Sequence, residues 1–142
     1  MKFIRTANAN WKGTGKEGKG TLSTQSKTLD SAPYSFHTRF EDGKGTNPEE
    51  LVGAAHAGCY TMKLSFLLSN AGFVPNNLST EAKVLFEDGA VTQVELNLQG
   101  EVDGIEEGKF VELAEEAKMT CPISKLLNTE IVLNTKLISF SA

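Results

Sequence analysis

No run of basic residues occurs anywhere in the 142-residue sequence, and aspartate plus glutamate outnumber lysine plus arginine 18 to 14, for a net charge of −4. That balance argues against nucleic acid as the main partner. The opening stretch "MKFIRTANANWKG" has no apolar core of a secretory signal, so the expectation is a mature chain starting near Met1 and working in the cytoplasm. A clean membrane span is missing too. Residues 51–68 form the most apolar window, but His56, Thr61, Lys63 and Ser65 interrupt it, and a buried core helix fits better. Internal repeats and low-complexity segments are absent. Cysteine is scarce, at two residues, and histidine equally so. Two cysteines in a reducing compartment are seldom a structural disulfide, which leaves inert thiols or working ones. Cys59 and Cys121 lie 62 residues apart, with only His37 and His56 for company, and lack the paired ligand spacing of a structural zinc site.

What remains is an ordinary soluble-domain composition, 39% hydrophobic and 23% charged, which predicts one folded domain spanning 1–142. The first 45 residues read as strands and turns. "GTGKEGKG" supplies four glycines between the strand-like "KFIRTANANW" and "TLSTQSKTL", and a hairpin explains them better than a phosphate loop, whose spacing they lack. "YSFHTRF" alternates with period two and is predicted to be a strand with one wet face. "GTNPEEL" then starts a helix, with Asn47 as cap, Pro48 in the first position and Glu50 completing a capping box. That helix should run to about Asn70, where Gly72 and Pro75 end it, buried nearly all round. Two strands joined at Asp88-Gly89 follow. Next comes a helix with Phe110, Leu113, Ala114 and Ala117 on one face, then a short helical piece from "CPISKLLN", and a last strand in "EIVLNTKLISFS". Strands, helix, strands, helix, strand is an α+β order with mostly antiparallel sheet.

The chemistry-bearing residues are few. On the predicted helix Cys59 shares a face with Ala55, Met62 and Phe66, so position alone favours a packed, inert thiol. An ordinary thiol is only about 3% ionised at neutral pH, and burial lowers that further. Reactivity therefore requires a positive partner. His56, three residues earlier, could make a nucleophile–base pair, although a lone histidine on a packed helix is more often a hydrogen-bonded core residue. Cys121, just before Pro122, stands at the start of a short helix whose free N–H groups favour thiolate. Local physics thus makes Cys121 the more acidic of the two. Arg39 is either a solvated strand arginine or, if buried, a permanent cation for a thiolate. Lowering a thiol by two pKa units takes about 2.7 kcal/mol, which an arginine held by a carboxylate can supply. Glu49 is spare for that task, since Glu50 is occupied in capping.

"PYSFHTRF", "GTNPEELVGAAHAGCY" and "CPISKLL", in this order and at these spacings, resemble the OsmC/Ohr family of organic hydroperoxide reductases, and more closely its OsmC branch. The likeness extends from "ANWKG" and "GKGTLST" to the final strand. The resemblance implies a thiol peroxidase that needs neither haem nor metal. It makes Cys59 the peroxidatic cysteine, Cys121 the resolving one, and Arg39 with Glu49 the pair that activates the thiol. It implies an intertwined homodimer, two central helices wrapped by antiparallel sheets, with active sites at the subunit interface. It further implies alkyl or fatty-acid hydroperoxides as substrates and a lipoyl-type dithiol as reductant. Gly58 and Tyr60 depart from the usual alanine and phenylalanine beside Cys59, with effects on the pocket or a phenol hydrogen bond.

One geometric difficulty accompanies the resemblance. Glu49 and Cys59 are ten residues apart, about 15 Å along an unbroken helix. A helix break around residues 50–54 is therefore predicted, or else a long reach by the arginine or a second chain. Two other readings stand beside the peroxidase: a non-enzymatic dimer that binds an apolar ligand, and a Cys59–His56 hydrolase.

Overall fold

The computed structural model describes residues 1–139. They fall into two compact units, Met1–Leu51 and Val52 onward.

In the first unit, β1 (Ala7–Lys12), β2 (Lys19–Thr24) and β3 (Ala32–Tyr34) form an antiparallel sheet in the order β1-β2-β3. The glycine-rich segment is the expected hairpin turn, with Gly13 at φ +100°. Gly20 pairs with Trp11 on one side and Tyr34 on the other. A Cβ at Gly20 would overlap both rings, so the missing side chain lets them meet edge-on at 5.3 Å between centroids.

The strand expected over "YSFHTRF" is not one. β3 ends at Tyr34, and α1 (Phe36–Phe40) replaces its remainder. Ser35 decides this. Its hydroxyl accepts from the Thr38 N–H, while the Thr38 hydroxyl accepts from the Ser35 N–H at 2.7 Å. This reciprocal cap satisfies two free donors, and Phe36 and Phe40 then stack one turn apart with centroids 5.1 Å apart. A five-residue alternation does not distinguish the two periods; the cap does.

α2 (Pro48–Asn70) begins where expected. Asn47 Oδ1 accepts from the Glu50 N–H at 2.7 Å, whereas the Glu50 carboxylate turns to the Thr46 hydroxyl at 2.9 Å instead of closing a capping box. The predicted break at 50–54 does not occur: α2 is continuous through all 23 residues. Gly53 is there for close approach. A Cβ on it would stand 3.3 Å from Val84 Cγ2 and near Ala82. Gly72, at φ +92°, ends the helix as expected.

In the second unit β4 (Pro75–Glu87) and β5 (Ala90–Val102) form a long hairpin. Its turn residues Asp88 and Gly89 both have positive φ, 50° and 82°, the requirement of a type I′ turn. α3 (Glu107–Thr120) and α4 (Pro122–Leu126) follow, and β6 (Glu130–Ile138) pairs with β5 in parallel. The end of the last predicted strand, from 140 on, lies outside the described residues. A parallel pair needs a crossover, and α3 with α4 forms it, so the "mostly antiparallel" expectation holds for every pair but this one.

The core of this unit joins three periodicities. β5 contributes Val94, Leu96, Leu98 and Val102 from one face; α3 contributes Phe110, Leu113, Ala114 and Ala117, as predicted; α2 contributes Tyr60, Leu64 and Leu68. α2 is not buried all round. Its buried stripe is Gly53, His56, Tyr60, Leu64 and Leu68, while Met62 and Phe66 are 64% and 61% exposed. Among the described residues no helix is long and apolar enough to cross a membrane.

Gly100 tests the packing. A Cβ there would run into the Phe110 ring, itself fully buried. Gly100→Ala is expected to destabilise the protein by about 1–3 kcal/mol, read as a lower urea midpoint in equilibrium unfolding.

Candidate active site

In the first unit, capping sets an ion pair. Asn47 caps α2 and its Nδ2 donates to the Thr38 carbonyl on α1 at 3.1 Å, so the two helix starts share one residue. Arg39, on α1 and not on a strand, then meets Glu49 in the first turn of α2. Nε donates to Oε1 and a terminal nitrogen to Oε2, both at 3.0 Å. This two-pronged geometry fixes the guanidinium plane as no lysine would. Hydrogen bonding to Glu49 holds Arg39 still more firmly protonated, against partial desolvation. Its carbon also lies 5.0 Å over the Phe40 ring. The partner chosen from sequence, Glu49 and not Glu50, is the one observed.

In the second unit, the two thiols are together. Both cysteines are free; Cys59 is half-buried on α2 and Cys121 fully buried between α3 and α4. The Cys59 thiol lies close enough to Cys121 and to the backbone N–H of Ile123 for both to shift its pKa. Burial pushes the Cys59 pKa up, and the neighbouring Cys121 adds to this; the Ile123 N–H and, more weakly, the Lys63 ammonium pull it down. The sequence reading gave the free amides of α4 to Cys121. The structure gives one of them to Cys59, because Pro122 occupies the first helical position and the next N–H, that of Ile123, faces across. Cys121 itself makes no side-chain cap. Nor does Cys59 share an apolar face with Ala55, Met62 and Phe66 in a packed core, since all three are exposed; it sits at the margin of the buried stripe.

His56 is not a base for Cys59. The ring is fully buried, Nε2 lies 2.8 Å from Ser124 Oγ, and Nδ1 has no partner. With nothing to accept from Nδ1, the neutral ring is assigned its proton on Nε2, donated to Ser124. The unpaired Nδ1 costs about 1–3 kcal/mol. The hydrolase reading loses its base. Tyr60 offers no phenol to the thiol either, because its hydroxyl donates to the Ala114 carbonyl at 3.1 Å and burial raises its pKa. Gly58 is exposed, and with Thr61, Met62 and Leu78 it lines an open recess of about 680 Å³.

Sequence reasoning missed Ser124, Ile123 and Lys63. A signal for Ser124 was present: it follows Cys121 by the same three residues that separate His56 from Cys59.

The profile of a family described as "OsmC-like protein" matches residues 41–136. The chain is 44% identical to the Peroxiredoxin OsmC of Escherichia coli K12 over 141 residues, covering 96% of this chain and 99% of that protein. Among solved structures it is similar to an OsmC-like protein of unknown function from Vibrio cholerae, with a TM-score of 0.74 at 17% identity, covering 94% of this chain and 99% of the other. It is also similar to the organic hydroperoxide resistance protein OhrB of Bacillus subtilis, with a TM-score of 0.66 at 21% identity and coverage of 94% and 98%. At such identities the structural likeness speaks to the fold.

Burial lowers the His56 pKa from its ordinary value. Between the depressed folded value and the ordinary one near 6.5, the unfolded chain binds a proton that the folded chain does not, so stability rises with pH there. Stability should therefore fall as pH is lowered from ~7 to ~5. The urea midpoint of His56→Gln, which cannot titrate, should fall less over the same range.

Proposed function

The chain belongs to the OsmC-like protein family, and on that premise we propose that it is a cysteine-based peroxidase that reduces organic hydroperoxides to alcohols. The observation that carries the reading is the pair of free, neighbouring thiols, half-buried Cys59 near the Ile123 N–H and fully buried Cys121. Cys59 thiolate attacks the distal oxygen of ROOH; the O–O bond breaks, ROH leaves after protonation, and the sulfur becomes a sulfenic acid. Cys121 condenses with it, releasing water and forming the Cys59–Cys121 disulfide. A dithiol of lipoyl type then exchanges with that disulfide, restoring both thiols and leaving oxidised. Neither haem nor metal enters any of these steps. Alkyl and fatty-acid hydroperoxides suit the apolar surroundings of Cys59.

Activation falls to Arg39 and Glu49. Within the second unit burial wins and Cys59 is held in its thiol form, so the nucleophile needs a further cation. Arg39 is already oriented by Glu49, ready to serve. On a continuous α2, Glu49 and Cys59 are separated by about 15 Å of helical rise, which favours delivery of Arg39 by a second chain. The exposed Met62 and Phe66 on the outer face of α2 support the same arrangement, a homodimer with its sites at the interface and residues 1–142 acting as one OsmC-like domain in each subunit. The role is antioxidant, within a stress response in the cytoplasm.

Titration of the reduced protein with cumene hydroperoxide, followed by thiol counting and mass spectrometry, tests this reading. One equivalent should consume both thiols and yield the Cys59–Cys121 disulfide. Cys121→Ser should halt after about one turnover with a dithiol donor, and Arg39→Met should slow the first oxidation at neutral pH by about 100-fold, the loss of two pKa units of activation. Survival of both thiols in excess hydroperoxide would favour a non-enzymatic dimer that binds an apolar ligand, a reading to which the upward shift of Cys59 lends some weight.

A further inference from the structure

The peroxidase steps leave His56 unused, although it is fully buried and pairs with Ser124 across 68 residues of chain. Its placement follows that of the thiols. His56 precedes Cys59 by three residues on α2, and Ser124 follows Cys121 by three on α4, so each hydrogen-bonded residue stands one turn from a cysteine. α4 is short, with five residues, none of them fully buried, and no side-chain cap, though Ile123 packs against the core. Polar neighbours link this segment to α2 in three places: Cys121 beside Cys59, the Ile123 N–H beside Cys59, and the hydrogen bond of His56 to Ser124 at 2.8 Å. The first two end on the sulfur that reacts. The third does not.

We infer that His56 is a positioning residue which, by donating from Nε2 to Ser124 Oγ, keeps α4 seated so that Cys121 intercepts the Cys59 sulfenic acid. The inference rests on the peroxidatic role of the two cysteines. Once Cys59 carries an oxygen, its contacts with Cys121 and Ile123 must rearrange, and the two sulfurs must then close to the disulfide length of about 2 Å. Contacts that end on the reacting sulfur cannot fix a short helix through that step. A bond to a residue outside the reacting pair holds it through the step.

Two fates compete for the sulfenic acid. Condensation with Cys121 gives the disulfide and water. A second ROOH instead transfers one oxygen, giving sulfinic acid and ROH. The ratio of sulfinic acid to disulfide at Cys59 measures how well Cys121 is held, and a variant that merely loses stability shifts its unfolding midpoint without moving that ratio.

The experiment treats the reduced full-length protein with a several-fold excess of cumene hydroperoxide and reads the ratio by mass spectrometry. In Ser124→Ala it should rise roughly five- to tenfold, the effect of losing one hydrogen bond. His56→Leu should match it, and His56→Gln, whose amide nitrogen can reach Ser124 from the same position, should restore the wild-type ratio. A wild-type ratio in Ser124→Ala overturns the inference, even if His56→Leu fails to fold. Failure of the wild-type protein itself to form the disulfide would instead remove the peroxidase reading beneath it, so the two failures are distinct.

Discussion

Burial of the Tyr60–Leu64–Leu68 stripe sets the rotation of α2 about its own axis, and every other feature of the second unit inherits that setting. Three large side chains at fourfold spacing join the core with β5 and α3, each contributing about 1.5–3 kcal/mol of transfer free energy. Two polar ties hold the same orientation: the Tyr60 hydroxyl on the Ala114 carbonyl and Thr61 on Thr80 at 2.7 Å. With the helix fixed this way, position 59 falls at the edge of the stripe, where a thiol can be dry enough to pack yet open enough to react. A rotation of one residue, 100°, would bury Cys59 or send it to solvent.

The same setting explains an apparent contradiction in the electrostatics. A thiolate is best served by positive surroundings, yet burial and a neighbouring sulfur push the Cys59 pKa up. Opposing them on the same unit are only a backbone amide and a lysine one turn along the helix. The strong cation, Arg39, lies on α1 in the first unit, oriented by its fork to Glu49. The first unit thus holds an oriented cation and the second a pair of neighbouring thiols.

Most of the architecture could be read from local signals that leave little choice. Asn47-Pro48 began α2 where they stood, Asp88-Gly89 turned the hairpin, and the Phe110–Ala117 spacing gave the buried face of α3. Errors arose where two local codes overlapped or where a tertiary partner decided. Phe36–Phe40 satisfy both a period of two and an i,i+4 pair, and only the Ser35–Thr38 cap separates them. A break at 50–54 was expected from the separation of Glu49 and Cys59, yet α2 runs through, with Gly53 admitting the close approach of Val84 and Ala82. Of the candidate site, the residue types and the Arg39–Glu49 pairing were legible. The recipient of the Ile123 amide was not, since which sulfur it faces depends on how α4 lies beside α2.

Trp11 is the sole tryptophan of the chain, and it is packed edge-on against Tyr34 over Gly20, its indole N–H shared between the carbonyls of Gly13 and Thr14 at 3.1 Å. Its emission therefore reports the environment of the small three-stranded sheet, while the larger core holds tyrosine and phenylalanine. Followed by tryptophan fluorescence, denaturation tracks the first unit; far-ultraviolet circular dichroism is weighted towards the longer helices and strands of the second. Coincidence of the two curves would mean that the halves melt as one cooperative body, and a gap between them would resolve the stability of each from a single unlabelled sample.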